Sequence, residues 1–179
     1  MVRPETALDR NPTNPNHLSQ INFRFIIKRS PTLNYFCTRV NIPGLKLPAV
    51  HQPTPYVDIP KHGDKLTFNP FIATFNVDEN LENYFDIHRW MRAIGGADDW
   101  ADYKALSDLP QYTGQSVMSE VTMTVLNSSR NAHFNLTFYD VFPTDLTDIE
   151  FNVQEEDVVP RTATVVFEYM NYDFELINH

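Results

Sequence analysis

The residues best suited to chemistry are six histidines, one cysteine and 23 carboxylates. Histidine and cysteine bind zinc at short, fixed spacings such as HExxH, and no such spacing occurs in this sequence. His51 and His62 lie in one proline-rich segment, where either a shared metal ion or two exposed, unpaired histidines is a valid interpretation. We interpret Cys37 as a small buried hydrophobe rather than a nucleophile, because no His or Asp lies near it in sequence. We therefore predict no metal, no cofactor and no catalytic nucleophile.

The common catalytic loops are absent as well. The sequence contains no GxxxxGK[ST], GxGxxG or GxSxG motif and only five glycines. The acidic clusters Asp98-Asp99 and Glu155-Glu156-Asp157 lack the spacing of a calcium loop, and we interpret them as solvated turns. A hydrolase that uses a pair of carboxylates stays an open alternative, but only because 23 acids make chance pairs of carboxylates frequent. We predict that the chain is not an enzyme and acts through contacts with other chains.

Composition sets limits on the class of protein. With 179 residues, 42 % hydrophobic and 21 % charged, the chain is predicted to form one globular domain. The formal charge of -9 argues against a dedicated nucleic-acid binder, although DNA can still slide past an acidic surface. A single cysteine favours folding in a reducing compartment. No apolar run is long enough for a membrane span, so we expect no membrane partner.

The strand pattern begins after a polar, proline-containing segment, residues 1–20, which we predict to be an extended arm. Alternating apolar residues predict a strand over 21–28 and a second over 34–40, joined as an antiparallel hairpin. A further alternating strand follows Pro70, a residue that cannot donate to a sheet ladder. Residues 21–179 are thus predicted to form a single β domain.

One helix is predicted after that strand, with Asp78 as its N-cap. Leu81, Tyr84, Phe85 and His88 would form its apolar stripe, with Trp90, Met91 and Ile94 nearby and His88 at the edge of the core. Gly95-Gly96 is expected to end the helix in the left-handed conformation.

The C-terminal half is predicted to be a run of strands after a polar loop at 97–116. Strands over 117–126 and 133–139 flank a turn at 127–131, and shorter and longer strands follow at 149–153 and 162–170. This order predicts a mainly β fold of two packed antiparallel sheets, a sandwich or open barrel, with one flanking α-helix.

Residues 41–63 are the strongest candidate for a contact segment. Five of the 13 prolines lie here, and long irregular segments in compact domains are usually functional or disordered. Residues 56–59 are predicted to form a short strand, and the segment as a whole a projecting arm. Its apolar residues outside any core pattern are the candidate inter-subunit contacts: Leu45, Leu47, Val50, Tyr56, Val57 and Ile59.

Two segments carry groups of residues in an order and spacing that belong to a known family. The first comprises His62-Gly63-Asp64-Lys65-Leu66, Phe75-Asn76-Val77-Asp78-Glu79, Asn83-Tyr84 and Trp90. The second comprises Asp140-Val141-Phe142-Pro143-Thr144-Asp145-Leu146, then Ile149, Phe151, Thr164-Val165-Val166-Phe167-Glu168-Tyr169 and Tyr172. The Phe-rich first strand, Cys37, Ile42-Pro43 and Leu47-Pro48 also fit. Over about residues 21 to 176, this sequence resembles the tail tube protein family of contractile-tailed, T4-like bacteriophages.

This resemblance implies hexameric rings stacked into the inner tail tube through which phage DNA passes. It implies a tail sheath outside, tape measure protein and DNA in the lumen without specific binding, and baseplate and tail terminator proteins as further partners. The protein would reside in the virion tail after assembly in the host cytoplasm. An acidic lumen would repel phosphate, and the candidate lumen acids are Asp98, Asp99, Asp102, Glu120, Glu155 and Glu156.

Two alternatives to the function of a tube subunit stay open. One is the baseplate tail tube initiator of the same family, which the Val-Asp-Glu, Asn-Tyr and Trp stretch also resembles. The other is a carbohydrate-binding β-sandwich, in which Trp90, Trp100 and Tyr103 would form a stacking platform.

Overall fold

The computed structural model describes residues 17–18, 21–96, 104, 117–152 and 159–177. These residues contain two helices and eleven strands. The elements in chain order are β1 Phe23–Ile27, α1 Pro31–Phe36, β2 Cys37–Val40, β3 Leu45–Lys46, β4 Ala49–Gln52, β5 Ile59–His62, β6 Thr67–Phe68, β7 Phe71–Asn76, α2 Glu82–Gly95, β8 Ser119–Leu126, β9 Ala132–Leu146, β10 Thr162–Glu168 and β11 Asn171–Leu176.

The long strand β9 joins two antiparallel sheets. Its N-terminal half pairs with β8 and β11, which gives the first sheet the order β1-β8-β9-β11. Its C-terminal part pairs with β10, which gives the second sheet the order β9-β10-β7-β2. The strand changes sheets near Asp140, whose φ of 55° lies in the left-handed region that Asp tolerates better than most residues. The prediction of two packed antiparallel sheets is confirmed.

The core forms where the period-2 pattern is most regular. Phe71, Ala73 and Phe75 on β7 are fully buried, and the facing residues of β10 are buried with them. The Phe71 ring lies 4.7 Å from the Phe138 ring of the first sheet, between their centroids. Aromatic rings from both sheets thus fill the space between them.

The predicted hairpin between the first two strands is wrong. β1 pairs with β8, and β2 pairs with β7 in the other sheet. A second, short helix, α1, separates them, with Pro31 at its first positions, where the missing N–H of proline costs nothing. The Asn34 side chain accepts the Ile27 N–H at 2.7 Å, on the edge of β1 that does not pair with β8.

The main helix begins later than predicted. Asp78 is not its N-cap, because its carbonyl accepts the Leu81 N–H in a turn and α2 starts at Glu82. The buried face consists of Asn83, Ile87, Trp90 and Ala93, not of the predicted stripe, and Phe85 and His88 are exposed.

The helix ends at Gly95 as expected, but not in the expected conformation. Gly96 donates its N–H to the Arg92 carbonyl at 3.0 Å with a φ of -171°. This angle is extended, so the predicted left-handed cap is wrong.

Two further predictions about the C-terminal half have different outcomes. The turn at 127–131 is confirmed: the Asn127 side chain accepts the N–H groups of Ser129 and Asn131, and Arg130 takes a φ of 61°. The short strand at 149–153 is wrong, because residues 149–152 form no ladder and Val153 lies outside the described residues. The predicted loop at 97–116 also lies outside them, apart from residue 104.

Candidate assembly surfaces

The segment 41–63 leaves the body as a β ribbon in two parts. At its base β3 pairs with β6, and beyond them β4 pairs with β5. The predicted strand at 56–59 is instead part of the connecting loop, and the second strand runs over Ile59–His62. Every residue of β4 and β5 is exposed. We call residues 49–62 the arm tip.

All six candidate contact residues on this ribbon are exposed. Their exposed fractions range from 46 % at Ile59 to 98 % at Tyr56. The other four are Leu45, Leu47, Val50 and Val57. An apolar set of this extent outside the core is typical of a surface that a partner covers.

The base of the ribbon is fixed to the body by two tyrosines. The Tyr169 hydroxyl donates to the Asn69 carbonyl at 2.9 Å, and the Tyr172 hydroxyl donates to the Pro43 carbonyl at 3.3 Å. The Phe68 ring lies within 6 Å of both tyrosine rings, between centroids. Burial raises the pKa of Tyr169 to about 12, with repulsion from Tyr172 and Glu168 adding to the effect. The phenol therefore stays a hydrogen-bond donor throughout the neutral range.

A close backbone contact lies between base and tip. The Gly63 N–H donates to the Pro48 carbonyl at 2.8 Å. A Cβ at position 63 would lie 2.4 Å from that oxygen, so only glycine fits there.

The first sheet ends in two strands of opposite charge. Among the described residues β1 and β11 each pair on one side only. β1 exposes Arg24, and Lys28 directly after it forms an ion pair with Glu120, whereas β11 exposes Asp173 and Glu175. Edge strands with one unpaired side readily pair with another chain.

β11 also carries apolar residues that its own sheet does not cover. Phe174 pairs with the buried Leu136 and therefore lies on the core-facing side, yet it is 61 % exposed. Leu176, two residues on, is 52 % exposed on the same face. The alternation of Tyr172, Phe174 and Leu176 is visible in the sequence, but it was not singled out there as a contact surface.

A shallow groove of about 220 Å³ lies at the head of α2. Its apolar wall is Val77, Leu81, Ile149 and Phe151, and its polar rim is Asp78, Glu79 and Arg161. Phe151 is 78 % exposed. No local sequence pattern indicates this groove, because it depends on residues 149–151 lying against a turn 70 positions earlier.

The turn beside the groove is held by a buried amide. Asn83 donates from Nδ2 to the Asn76 carbonyl at 2.8 Å and accepts the Asp78 N–H at 3.3 Å. It is completely buried. Leu81 lies in this turn, directly before α2, and has a φ of 59°, a conformation that leucine rarely adopts.

Of the six candidate lumen acids the structure describes one. Glu120 is partly buried and forms an ion pair with Lys28 across the β1–β8 ladder. Asp98, Asp99, Asp102, Glu155 and Glu156 lie outside the described residues. The acidic lumen stays a prediction.

The residues proposed for other chemistry have structural roles. Trp90 is 1 % exposed and donates from Nε1 to the Val117 carbonyl at 2.7 Å, so it is not available to stack on a sugar. Trp100 and Tyr103 lie outside the described residues. Cys37 is half-buried, and burial raises the pKa of its thiol to about 11, which makes it a poor nucleophile.

The described residues form neither a cluster of metal ligands nor a membrane-spanning helix. Among the described residues no three His, Cys, Asp or Glu side chains lie together as a metal site. Within the same residues no helix combines the length and apolar character needed to cross a membrane.

The model of the family described as phage tail tube protein matches residues 9–175. This chain belongs to the phage tail tube protein family. Membership makes it a tail tube or terminator-like structural protein that works in the tail within a multi-subunit assembly.

Individual relatives of this tail tube family protein include a terminator. It is 25 % identical to the tail tube terminator protein of Enterobacteria phage T4 over 167 residues, which cover 88 % of this chain and 90 % of that protein. The solved tube-terminating cap of the anti-feeding prophage is 10 % identical, with a TM-score of 0.64, and covers 97 % of this chain and 100 % of that one. A sheath/tube terminator of the PVC extracellular contractile injection system is 10 % identical, with a TM-score of 0.55, and covers 89 % and 97 %. The two structural likenesses show the fold alone.

Proposed function

We propose that this protein is a tail tube terminator, whose copies form one closed ring, six copies by family resemblance, that ends the tail tube. The observation that carries the proposal is the end-to-end alignment with the terminator protein of phage T4. The sequence alone predicts a subunit of rings that stack into a tube. The proposal replaces this with a subunit of a single ring on which no further ring stacks.

The two ends of the first sheet support ring formation. β1 and β11 lie at opposite ends of one sheet, so joining β11 of one copy to β1 of the next is a head-to-tail contact. Head-to-tail contacts between identical subunits close into rings when the rotation between copies allows it. Asp173 or Glu175 on one edge would face Arg24 on the other, and Phe174 would be covered.

The tail partners follow from this proposal. The ring would sit on the last ring of the tube, contact the tail sheath assembly around it, and let DNA pass through a net acidic lumen without specific binding. Lys or Arg contacts with phosphate would instead give salt-dependent affinity and slow the passage of DNA.

The alternatives are not favoured. The aligned T4 relative is a terminator, which gives the baseplate initiator no support. A carbohydrate-binding module would need Trp90 at the surface, and it is buried.

Electron microscopy of the purified protein tests the proposal. We expect closed rings of uniform mass that do not lengthen as the concentration rises, and that bind the end of preformed tubes of the cognate tube protein. Long tubes from this chain alone would identify a tube subunit. A chain that stays monomeric at high concentration would refute both the terminator and the tube subunit. Tight duplex-DNA binding by the ring at physiological salt would contradict the non-adhesive lumen.

A further inference from the structure

The groove at the head of α2 has a wall that is fixed before any partner binds. Leu81 lines the groove with a φ of 59°, and strained backbone of this kind persists where the surrounding structure holds it in place. The Asn83 side chain gives that support through its bonds to the Asn76 carbonyl and the Asp78 N–H. A partner that enters the groove therefore loses little free energy to the ordering of this wall.

The part of the groove formed by residues 149–151 exposes apolar surface. Phe151 lines the groove and is 78 % exposed, and Val159, two residues before Arg161, is 62 % exposed. A recess within exposed apolar surface is typical of an interaction site. Its volume of about 220 Å³ lies below the range of about 300–1,000 Å³ that small-molecule sites occupy, so it suits one or two side chains of a polypeptide.

The charge around the groove is negative. Asp78 and Glu79 line it, and Asp148 and Glu150 adjoin its lining residues in the chain and are exposed. The positive end of α2 favours nearby acids, but it does not account for Asp148 and Glu150, which belong to a different segment. Arg161 is the single base among the described residues that line the groove. Four acids against one base disfavour a phosphate-bearing partner and favour a segment with Lys or Arg beside its apolar side chains.

The exposed apolar segments of the arm tip and of β11 lack the charge that this groove favours. In the arm tip, the exposed Asp58 offsets Lys61. On β11, the exposed Asp173 and Glu175 flank Phe174. These segments of a second copy are therefore poor occupants, and a different protein of the multi-subunit tail assembly suits the groove better.

We propose that the groove binds a basic, apolar segment of a different tail protein. One aliphatic or aromatic side chain of that segment contacts Leu81 and Phe151, and a Lys or Arg beside it faces Glu79 and Asp148. The groove is separate from the edge strands β1 and β11, so this binding does not depend on the chain being a terminator.

Fluorescence anisotropy with synthetic peptides tests the site on the full chain. The probe is a fluorescein-labelled nine-residue peptide of Lys, Leu and Phe, and the comparison peptides replace Lys by Glu or replace Leu and Phe by Ser. We expect the basic, apolar peptide to bind more tightly than both, and its binding to weaken as the salt concentration rises. Equal binding of the Glu peptide, or no binding of the probe, would overturn the proposal.

Surface variants locate the binding in the groove. Phe151→Ser should weaken binding of the probe by about three- to tenfold, the effect of half-covering one phenylalanine side chain. The matched control is Met170→Ser, 74 % exposed just beyond the far end of β10, which should leave binding unchanged. An equal effect of the two variants would overturn the assignment to the groove.

Charge reversals test the acidic rim independently. Glu79→Lys and Asp148→Lys should each weaken binding by about two- to fivefold, the range expected for an exposed ion pair. Asp64→Lys, an exposed acid in the ribbon, makes the same change in net charge and should have little effect. An equal loss with Asp64→Lys would show attraction to the whole chain and overturn the rim as the source of specificity.

Ring formation separates this proposal from the terminator function. Phe151→Ser should form rings as the unmodified chain does. Loss of rings in this variant would show that another copy of the chain covers the groove, which overturns the different partner and leaves the ring intact as a proposal. If the unmodified chain forms no rings but binds the probe in the groove, the terminator function fails and the binding site stands.

Discussion

Replacing Asn83 by Ala tests how the groove and the head of α2 are held. The side chain is completely buried and bonds two backbone groups, the Asn76 carbonyl at 2.8 Å and the Asp78 N–H at 3.3 Å. Removing it leaves both groups without this partner beneath a partly buried turn. Each buried group that loses its hydrogen bond costs about 1–3 kcal/mol.

The expected loss follows from these contacts. Two groups give about 2–6 kcal/mol, and the 3.3 Å bond is the weaker of the two, so its share lies at the low end. Alanine returns about 0.5 kcal/mol through its higher helix propensity. We therefore expect Asn83→Ala to lower the free energy of unfolding by about 2–4 kcal/mol.

Urea denaturation of the unassembled protein, followed by tryptophan fluorescence, measures this loss. The matched control is Asn80→Ala, an exposed residue in the same turn, which should change the free energy of unfolding by less than about 0.5 kcal/mol. If the free energy of unfolding of Asn83→Ala lies within that margin of the unmodified chain, the buried amide does not hold the turn and the reasoning is refuted.

Three further predictions concern the ribbon and the titratable groups. Gly63→Ala should impair ring assembly without lowering the thermal unfolding midpoint of the body, because its Cβ would lie 2.4 Å from the Pro48 oxygen. The control Gly95→Ala should assemble normally, because a Cβ at position 95 has nothing within 4 Å. Equal assembly of the two variants would contradict the placement of the ribbon. The folded pKa of Tyr169, about 12, exceeds the ordinary value of 10, so its contribution to stability is complete below pH 10 and is lost as the pH rises towards 12. Urea titrations across this interval should show a shallower loss for Tyr169→Phe, and identical slopes would count against the raised pKa. Cys37, with a pKa of about 11, should react with Ellman's reagent at pH 8 far more slowly in the folded chain than in urea, and equal rates would show that it is not held in a desolvated site.

The sequence predicted the fold wherever one periodicity dominated a segment. Phe71, Ala73 and Phe75 alternate without interruption, which predicts a strand, and the structure has that strand with all three completely buried. The turn at 127–131 was predictable as well, because Asn side chains bond their own backbone locally.

The errors arose where a distant contact decided the local structure. The hairpin of the first two strands failed because β1 pairs with β8, about 100 residues away, and a local pattern carries no information about that partner. The apolar stripe of α2 was misplaced because the buried face includes a polar residue, Asn83, that a search for apolar residues passes over. The strand predicted at 149–153 is absent from the described residues 149–152 because the apolar residues Ile149 and Phe151 line a groove instead of the core.

The candidate assembly surface was only partly visible from the sequence. The exposed residues of the ribbon could be identified because prolines interrupt any core pattern there. The exposure of Phe174 could not, because it depends on β11 being the last strand of its sheet. The proposal of a terminator instead of a tube subunit likewise rests on the alignment with the T4 protein and not on any single residue.

Absolute quantification of this chain in purified tails, by mass spectrometry against the sheath protein, tests the central claim most directly. A terminator occurs once per tail, so we predict the equivalent of a single ring of this chain for the many rings of sheath. A copy number close to that of the sheath protein would contradict the terminator function and identify the chain as the tube subunit.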